Sequence, residues 1–174
     1  MDKIKAIGYK YSTKGAITIS VSDIVVVGEK EEIIQKTEKE MLQLMKDLCT
    51  RRLPAYYTDL MPVRDIQVLT PMRKGALGVE SLNRILQQYL NPADVSKKEY
   101  QSGETLFREG DKVMQVKNNY KLEWEILSKY HIPIDRGMGV FNGDMGVIKE
   151  IDKNSETLVI EFDEKKTVNY SFSM

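Results

Sequence analysis

The chain changes character part-way along its length, and that change limits the folds open to it more than any other feature. Up to about residue 92, apolar side chains recur at helical intervals between short β-branched runs. Beyond about residue 101 the chain moves to short apolar segments separated by polar turns. A chain of 174 residues is long enough for one ordinary domain or two small ones. The change of character divides it into two regions of different class.

In the first region, Ile17–Val21 alternates as a strand, and Asp23–Val27 is a β-branched run closed by Gly28. From about Glu31 to Arg51 the spacing predicts a helix, with Ile33, Ile34, Thr37, Met41, Leu44, Met45 and Leu48 on one stripe. Arg51 and Arg52 close it before Pro54, where last-turn cations favour the helix dipole. Asp65–Thr70 reads as a further strand stopped by Pro71. A glycine-containing loop, 72–78, leads into a helix over Val79–Leu90 that Asn91-Pro92 terminates. Strand, helix, strand, helix implies an α/β layer with parallel strands over residues 23–92. Residues 1–22 receive no domain assignment.

The second region reads differently. Glu104–Arg108 and Lys112–Lys117 are strand candidates about the turn Glu109-Gly110-Asp111, and Asn118-Asn119-Tyr120 is a polar break. Residues 121–136 fit either class. Met145–Ile151, Thr157–Phe162 and Lys166–Phe172 are short strands spaced by the turn residues Asn142-Gly143-Asp144 and Asp152-Lys153-Asn154. Short strands with polar turns predict a small β-barrel of the Src-homology-3 (SH3) kind over 104–174, with 93–103 as linker.

Composition and missing motifs exclude several chemistries. Formal net charge is zero, so any nucleic-acid contact must come from a local surface. One cysteine, Cys49, and one histidine, His131, exclude a disulfide framework and a Cys/His zinc site within one chain. The first ten residues lack a signal-peptide apolar core, and the longest apolar run, near Ile24–Val27, is far too short to span a bilayer, so a cytoplasmic setting is expected. No Gly-Lys dipeptide occurs, hence no phosphate-binding Walker A loop. Gly137-Met138-Gly139 begins like a dinucleotide fingerprint, but Asn142 stands where the third glycine belongs. Leu158–Glu164 resembles an apolar strand ending in a magnesium carboxylate, yet it reads better as a barrel strand entering a charged hairpin with Lys165 and Lys166. Cys49 reads as buried packing and His131 as structural or exposed. No catalytic residue and no metal ligand is assigned.

Three segments together resemble one family. They are Val63–Gly75 continuing through Gly78–Asn83 to Leu90-Asn91-Pro92; Phe107–Tyr120; and Gly139–Gly146. In order and spacing the chain is similar to the RecD-like helicases of superfamily 1, the exodeoxyribonuclease V alpha or RecD/TraA proteins. The similarity covers residues 63–172, weakens over 23–62 and is absent over 1–22. It implies that residues 23–92 are part of a second RecA-like motor domain and that 104–172 are the barrel inserted in it. The chain would then be an interior fragment without the first motor domain or the closing motor motifs.

The same resemblance implies site residues. It places helicase motif IV at the loop after Thr70-Pro71, so that Arg73, and after it Lys74, would reach the ATP γ-phosphate at the carboxyl edge of the sheet. Solvated loop cations are the plain alternative. For single-stranded DNA the candidates are Lys117, Asn118, Asn119, Tyr120 and Asn142, since amides and a lysine beside an aromatic can hold phosphate and stack a base. Asn142-Gly143 is equally a good hairpin turn with no function required, and Asn83 reads as a helix-surface residue. ATP, magnesium and the remaining helicase domains belong to the intact parent, which the family implies moves 5′ to 3′; the fragment alone is expected to take no cofactor. The competing reading is a barrel that docks a partner protein.

Overall fold

The computed structural model describes residues 2–15, 28–130 and 132–173. The strands read at Ile17–Val21 and Asp23–Val27, and His131, lie outside the described residues. Two compact units divide the chain, Met1–Lys39 and Glu40–Met174. Among the described residues no helix is long and apolar enough to cross a membrane.

The first unit holds helix α1, Asp2–Lys14, and the start of α2, Lys30–Asp47. No residue of α2 is buried, and Ile33, Ile34, Met41 and Leu44 of its apolar stripe are exposed. The helix predicted from Glu31 to Arg51 therefore forms, but α-helical geometry ends at Asp47. One π-helical turn follows over Leu48–Arg52, in which the Leu53 amide donates to the Leu48 carbonyl. Pro54 explains the widening: it lacks the amide an α-helix would use, and its ring crowds the carbonyl four residues earlier. Cys49, in this turn, is buried as expected. Two four-residue helices, α3 (Leu53–Tyr56) and α4 (Pro62–Asp65), come next.

The strand expected at Asp65–Thr70 does not form. Asp65 closes α4, accepting the Met61 amide at 2.8 Å on Oδ2. Residues 66–70 alternate in exposure without being part of any strand. A single alternating segment needs a neighbour to complete its hydrogen bonds, and every strand pairing among the described residues is antiparallel and lies beyond residue 98. The parallel RecA-like layer expected over 23–92 is thus not seen there.

Helix α5, Val79–Leu90, has the predicted bounds. Leu82 is its buried anchor, and Ile85, Leu86 and Leu90 are half-buried on the same stripe. The preceding loop folds back on its start. Val79 donates its amide to the Met72 carbonyl at 3.0 Å, and Glu80 to the Arg73 carbonyl at 3.3 Å. Gly78 makes this possible, because a Cβ there would lie 2.6 Å from the Arg73 and Lys74 carbonyl oxygens.

Eight strands follow. β1 (Glu99–Ser102) and β2 (Thr105–Arg108) form a hairpin across a two-residue turn in which Gly103 has φ +57. The other six are β3 (Lys112–Met114), β4 (Asn119–Leu127), β5 (Pro133–Val140), β6 (Met145–Asp152), β7 (Thr157–Phe162) and β8 (Lys166–Ser171). They form one antiparallel sheet in the order β3-β6-β7-β8-β4-β5. Its core is Leu122, Val140, Ile148, Ile151, Leu158, Ile160, Phe162 and Val168, with Tyr100, Phe107 and Trp124 packed against it. That is the content expected of an SH3-like barrel. β7 buries Leu158, Ile160 and Phe162 in strict alternation. β6 needs a correction of parity: its register against β7 shifts between Ile148 and Glu150, and this bulge brings Ile151 inward although it lies three residues from Ile148.

Candidate nucleic-acid interface

Two connections meet at one end of the sheet. The chain leaving β3 (115–118) lies beside the turn between β5 and β6 (141–144). Gln115 donates its amide to the Asp144 carbonyl, and Gly143 returns an amide to the Gln115 carbonyl, each at 2.9 Å. Gly143 has φ +97, a backbone region open to glycine, and this lets the turn close. Asp144 stiffens it further: its Oδ2 accepts the Phe141 amide at 2.8 Å.

Asn118 bridges the two connections. Its Oδ1 accepts the Asn142 amide at 2.8 Å, and its Nδ2 donates to the Tyr120 hydroxyl at 3.1 Å. Tyr120 and Phe141 meet edge to face, centroids 5.7 Å apart at 71°. Both rings are open to solvent, Tyr120 67% and Phe141 46% exposed, and neighbouring Met138 is 60% exposed. The Phe141 ring lies over Gly139, whose φ is +100; a Cβ there would be 3.0 Å from the ring. The result is an exposed aromatic shelf held by a braced amide.

The structure therefore brings together the five residues singled out for DNA, but divides their roles. Tyr120 supplies a ring face. Lys117 is exposed at the rim, and its carbonyl accepts the Gln115 side-chain amide at 2.6 Å. Asn118 is the brace. The Asn119 Oδ1 accepts the Lys121 amide at 3.2 Å, so this side chain serves the strand start. Asn142 contributes its backbone amide to the brace. Residues 119 and 120, read as a break, in fact begin β4. Phe141, missed as a site residue, is half of the shelf. The available signal was its place directly before Asn142-Gly143, where an apolar ring on a turn has little core to enter. Behind the shelf, Tyr170 donates its hydroxyl to the Gln115 Oε1 at 2.8 Å. Burial, and then the Asp144 charge, push its pKa up to about 12.

Arg73 and Lys74 lie on the loop before α5. Arg73 is paired through Nε with the Glu80 Oε1 at 2.9 Å, its side chain 85% exposed. An ion pair so exposed contributes little to stability, and Lys74 is exposed beside it. Among the described residues no group of three or more His, Cys, Asp or Glu side chains is gathered to hold a metal.

Residues 82–162 match the family model of the ATP-dependent RecD-like DNA helicase SH3 domain. The chain contains a RecD-like helicase SH3 domain. The match takes in most of α5 and strands β1 to β7. All of Lys117–Tyr120, Phe141 and Asn142 lie inside the RecD-like domain, whereas Arg73 and Lys74 precede it. The ATP-dependent RecD2 DNA helicase of Deinococcus radiodurans is 32% identical over 123 residues, covering 71% of this chain and 14% of that helicase. A different relationship was not foreseen. Over 46 residues, 26% of the chain, the sequence is 59% identical to the DNA-directed RNA polymerase subunit beta′ of Clostridium botulinum (strain ATCC 19397 / Type A). It is 50% identical to that of Shouchella clausii, and each match covers 4% of the polymerase subunit. The chain thus spans only a small part of the curated relatives it matches.

Proposed function

We propose that the barrel is a single-stranded DNA contact of a RecD-like, ATP-dependent helicase. The observation carrying this reading is the Tyr120–Phe141 shelf, two exposed rings braced by Asn118 and rimmed by Lys117, inside a domain whose family is named for DNA helicases. Aromatic faces accept any base by stacking, which suits a track that reads no sequence. The chain assigns no group to bond-breaking; ATP and magnesium act in the parent, which also supplies the other motor domains and 5′ to 3′ movement in a cytoplasmic setting. Arg73, once released from Glu80, is the residue that would meet the γ-phosphate, with Lys74 second. Both are side-chain cations only, so they fit one wall of a nucleotide site.

The test is fluorescence anisotropy of a labelled oligothymidylate with the chain at low salt. Removing one stacking ring costs about 1–3 kcal/mol. Tyr120→Ala and Phe141→Ala are therefore each expected to weaken binding about 5- to 150-fold, and Lys117→Ala to reduce its salt dependence. Unchanged affinity in both ring variants would reject the shelf as the contact. A barrel that instead docks a partner protein would show no oligothymidylate binding at all.

A second reading concerns the first 51 residues. Any stretch of 123 residues in this chain contains residues 52–123, and the helicase domain claims 82–162. The 46-residue polymerase similarity then fits ahead of them. On this reading α1 and α2 are a polymerase-derived segment joined to a helicase fragment, and not part of a motor layer. It accords with the exposed α2 stripe and with the resemblance to helicases fading before residue 63. Deleting residues 1–39 is then expected to leave oligothymidylate affinity unchanged; a tenfold loss would reject it.

A further inference from the structure

Two of the family-like segments, Leu90-Asn91-Pro92 and Arg108-Glu109-Gly110-Asp111, meet in one nearly buried polar cluster. Asn91 is 4% and Arg108 5% exposed. Asp111 is its centre. From the residue that caps α5, the Asn91 Nδ2 donates to Asp111 Oδ1 at 2.7 Å, and from its last turn the Gln87 Nε2 donates to Asp111 Oδ2 at 2.5 Å. From β2, the Arg108 amide donates to the same Oδ2 at 2.7 Å. Arg108 then reaches back, its Nη1 donating to the Asn91 carbonyl and its Nε to Glu99 Oε1 at 2.6 Å.

The ties continue on both sides. The Gln87 amide also donates to the Leu106 carbonyl at 2.9 Å, and Lys97 Nζ to Asn91 Oδ1 at 2.5 Å. Glu109 takes the Ile151 amide on Oε1 and the Lys98 amide on Oε2. Asp111 enters the sheet directly, since its carbonyl accepts the Ile148 amide at 2.9 Å, and Ile148 is a fully buried core residue. No buried side-chain N or O atom among the described residues lacks a partner. A fully satisfied buried network fixes one geometry, because each alternative leaves a donor or acceptor unpaired at about 1–3 kcal/mol.

We propose that this clasp makes helix α5 and the barrel one rigid lever, so that any displacement of α5 reaches the Tyr120–Phe141 shelf undiminished. The stretch between Leu90 and Glu99 is then not a hinge. Chain continuity there is a detour, and the mechanical link runs through Asn91, Asp111 and Arg108. The inference concerns how the two parts are joined and stands whether or not the shelf binds DNA.

Spin-label distances in the full chain test it. Cys49→Ala serves as background, since Cys49 is the one native thiol. One pair, Arg84→Cys with Lys153→Cys, spans the joint; a reference pair, Lys121→Cys with Lys153→Cys, lies within the barrel; all three labelled sites are exposed. The joint pair is expected to give a single distance as narrow as the reference pair. Asp111→Asn, which replaces one acceptor oxygen by an NH2 donor facing either the Asn91 Nδ2 or the Gln87 Nε2 and Arg108 amide, is expected to broaden the joint pair at least twofold and leave the reference unchanged. A joint pair already twice as broad as the reference in the parent overturns the proposal, and so does an unaltered width in the variant. Should Asp111→Asn also broaden the reference pair, Gln87→Ala, which removes two of the ties from a position on α5, takes its place under the same criteria.

Discussion

Placing a methyl group on Gly137 would drive a carbon into the face of the indole opposite it. A Cβ at 137 would lie 2.3 Å from Trp124 Cζ2, 2.6 Å from Cε2 and 2.9 Å from Cη2. These are ring atoms of a side chain packed on the core, directly paired with Gly137 across β4 and β5, so the whole ring must move. Two effects oppose one another. Alanine restricts the unfolded chain, which favours the variant by about 0.4–1 kcal/mol. Overpacking costs about 1–3 kcal/mol, and a rigid ring cannot yield as a flexible chain end does. Overpacking wins, with a net loss of about 1–2 kcal/mol for Gly137→Ala. For a domain of this size that is a fall in Tm of roughly 5–15 °C. Trp124 is the only tryptophan, so its emission reports the same event without labels. A red shift is expected as the indole is displaced towards water. A variant with unchanged or raised Tm and unshifted emission would refute the argument that Gly137 is the bed of this ring.

Further outcomes can be checked in the same material. Ile148→Ala empties a fully buried position and should cost about 2–5 kcal/mol in urea unfolding without changing the slope; a loss under 1 kcal/mol would deny its central place. In a spectrophotometric titration one of nine tyrosines should ionise near pH 12, and Tyr170→Phe should remove that phase. Because the folded value is raised, the linked stability is intact below pH 10 and lost as pH rises through about 12; simultaneous ionisation of all nine would contradict this. On the acid side, the Ser155 hydroxyl and Asn154 amide hold the Asp152 carboxyl below its ordinary value, and the Ser96 hydroxyl and amide do the same for Asp94. Both folded values are lowered, so Tm should be flat above about pH 4 and fall as pH drops through the lowered values. Replacing Ser96 and Ser155 by alanine should reduce that acid-side fall.

Elements whose cause is local were legible in the sequence. Val79–Leu90 carries its own stripe and its own stop at Asn91-Pro92, and Thr157–Phe162 is a short apolar run bounded by turn residues. β1 was not legible: Glu99-Tyr100-Gln101-Ser102 is polar, and it becomes a strand because Tyr100 stacks on Phe172 at 3.7 Å and donates its hydroxyl to the Phe172 carbonyl, 72 residues away. The bulge in β6 has no signature except that Ile148 and Ile151 cannot both face inward without it. Residues 66–70 show the converse failure, alternation without a neighbour to pair with. At the shelf, the family-like segments located Asn118, Tyr120 and Asn142. The aromatic partner Phe141 emerged only when two turns were brought side by side.

The loop before α5 decides what sort of grip it can offer. Helix openings that cradle phosphate do so with idle main-chain amides; here those of Val79 and Glu80 already serve the loop's own carbonyls. The cations this loop presents are Arg73 and Lys74, charges on long swivelling stems, one of them tethered to Glu80. In the nucleotide role proposed above, such a contact would work by reach: it would strike a terminal phosphate when the opposing wall closed and let go when that phosphate left, which a fixed amide nest would do far less readily.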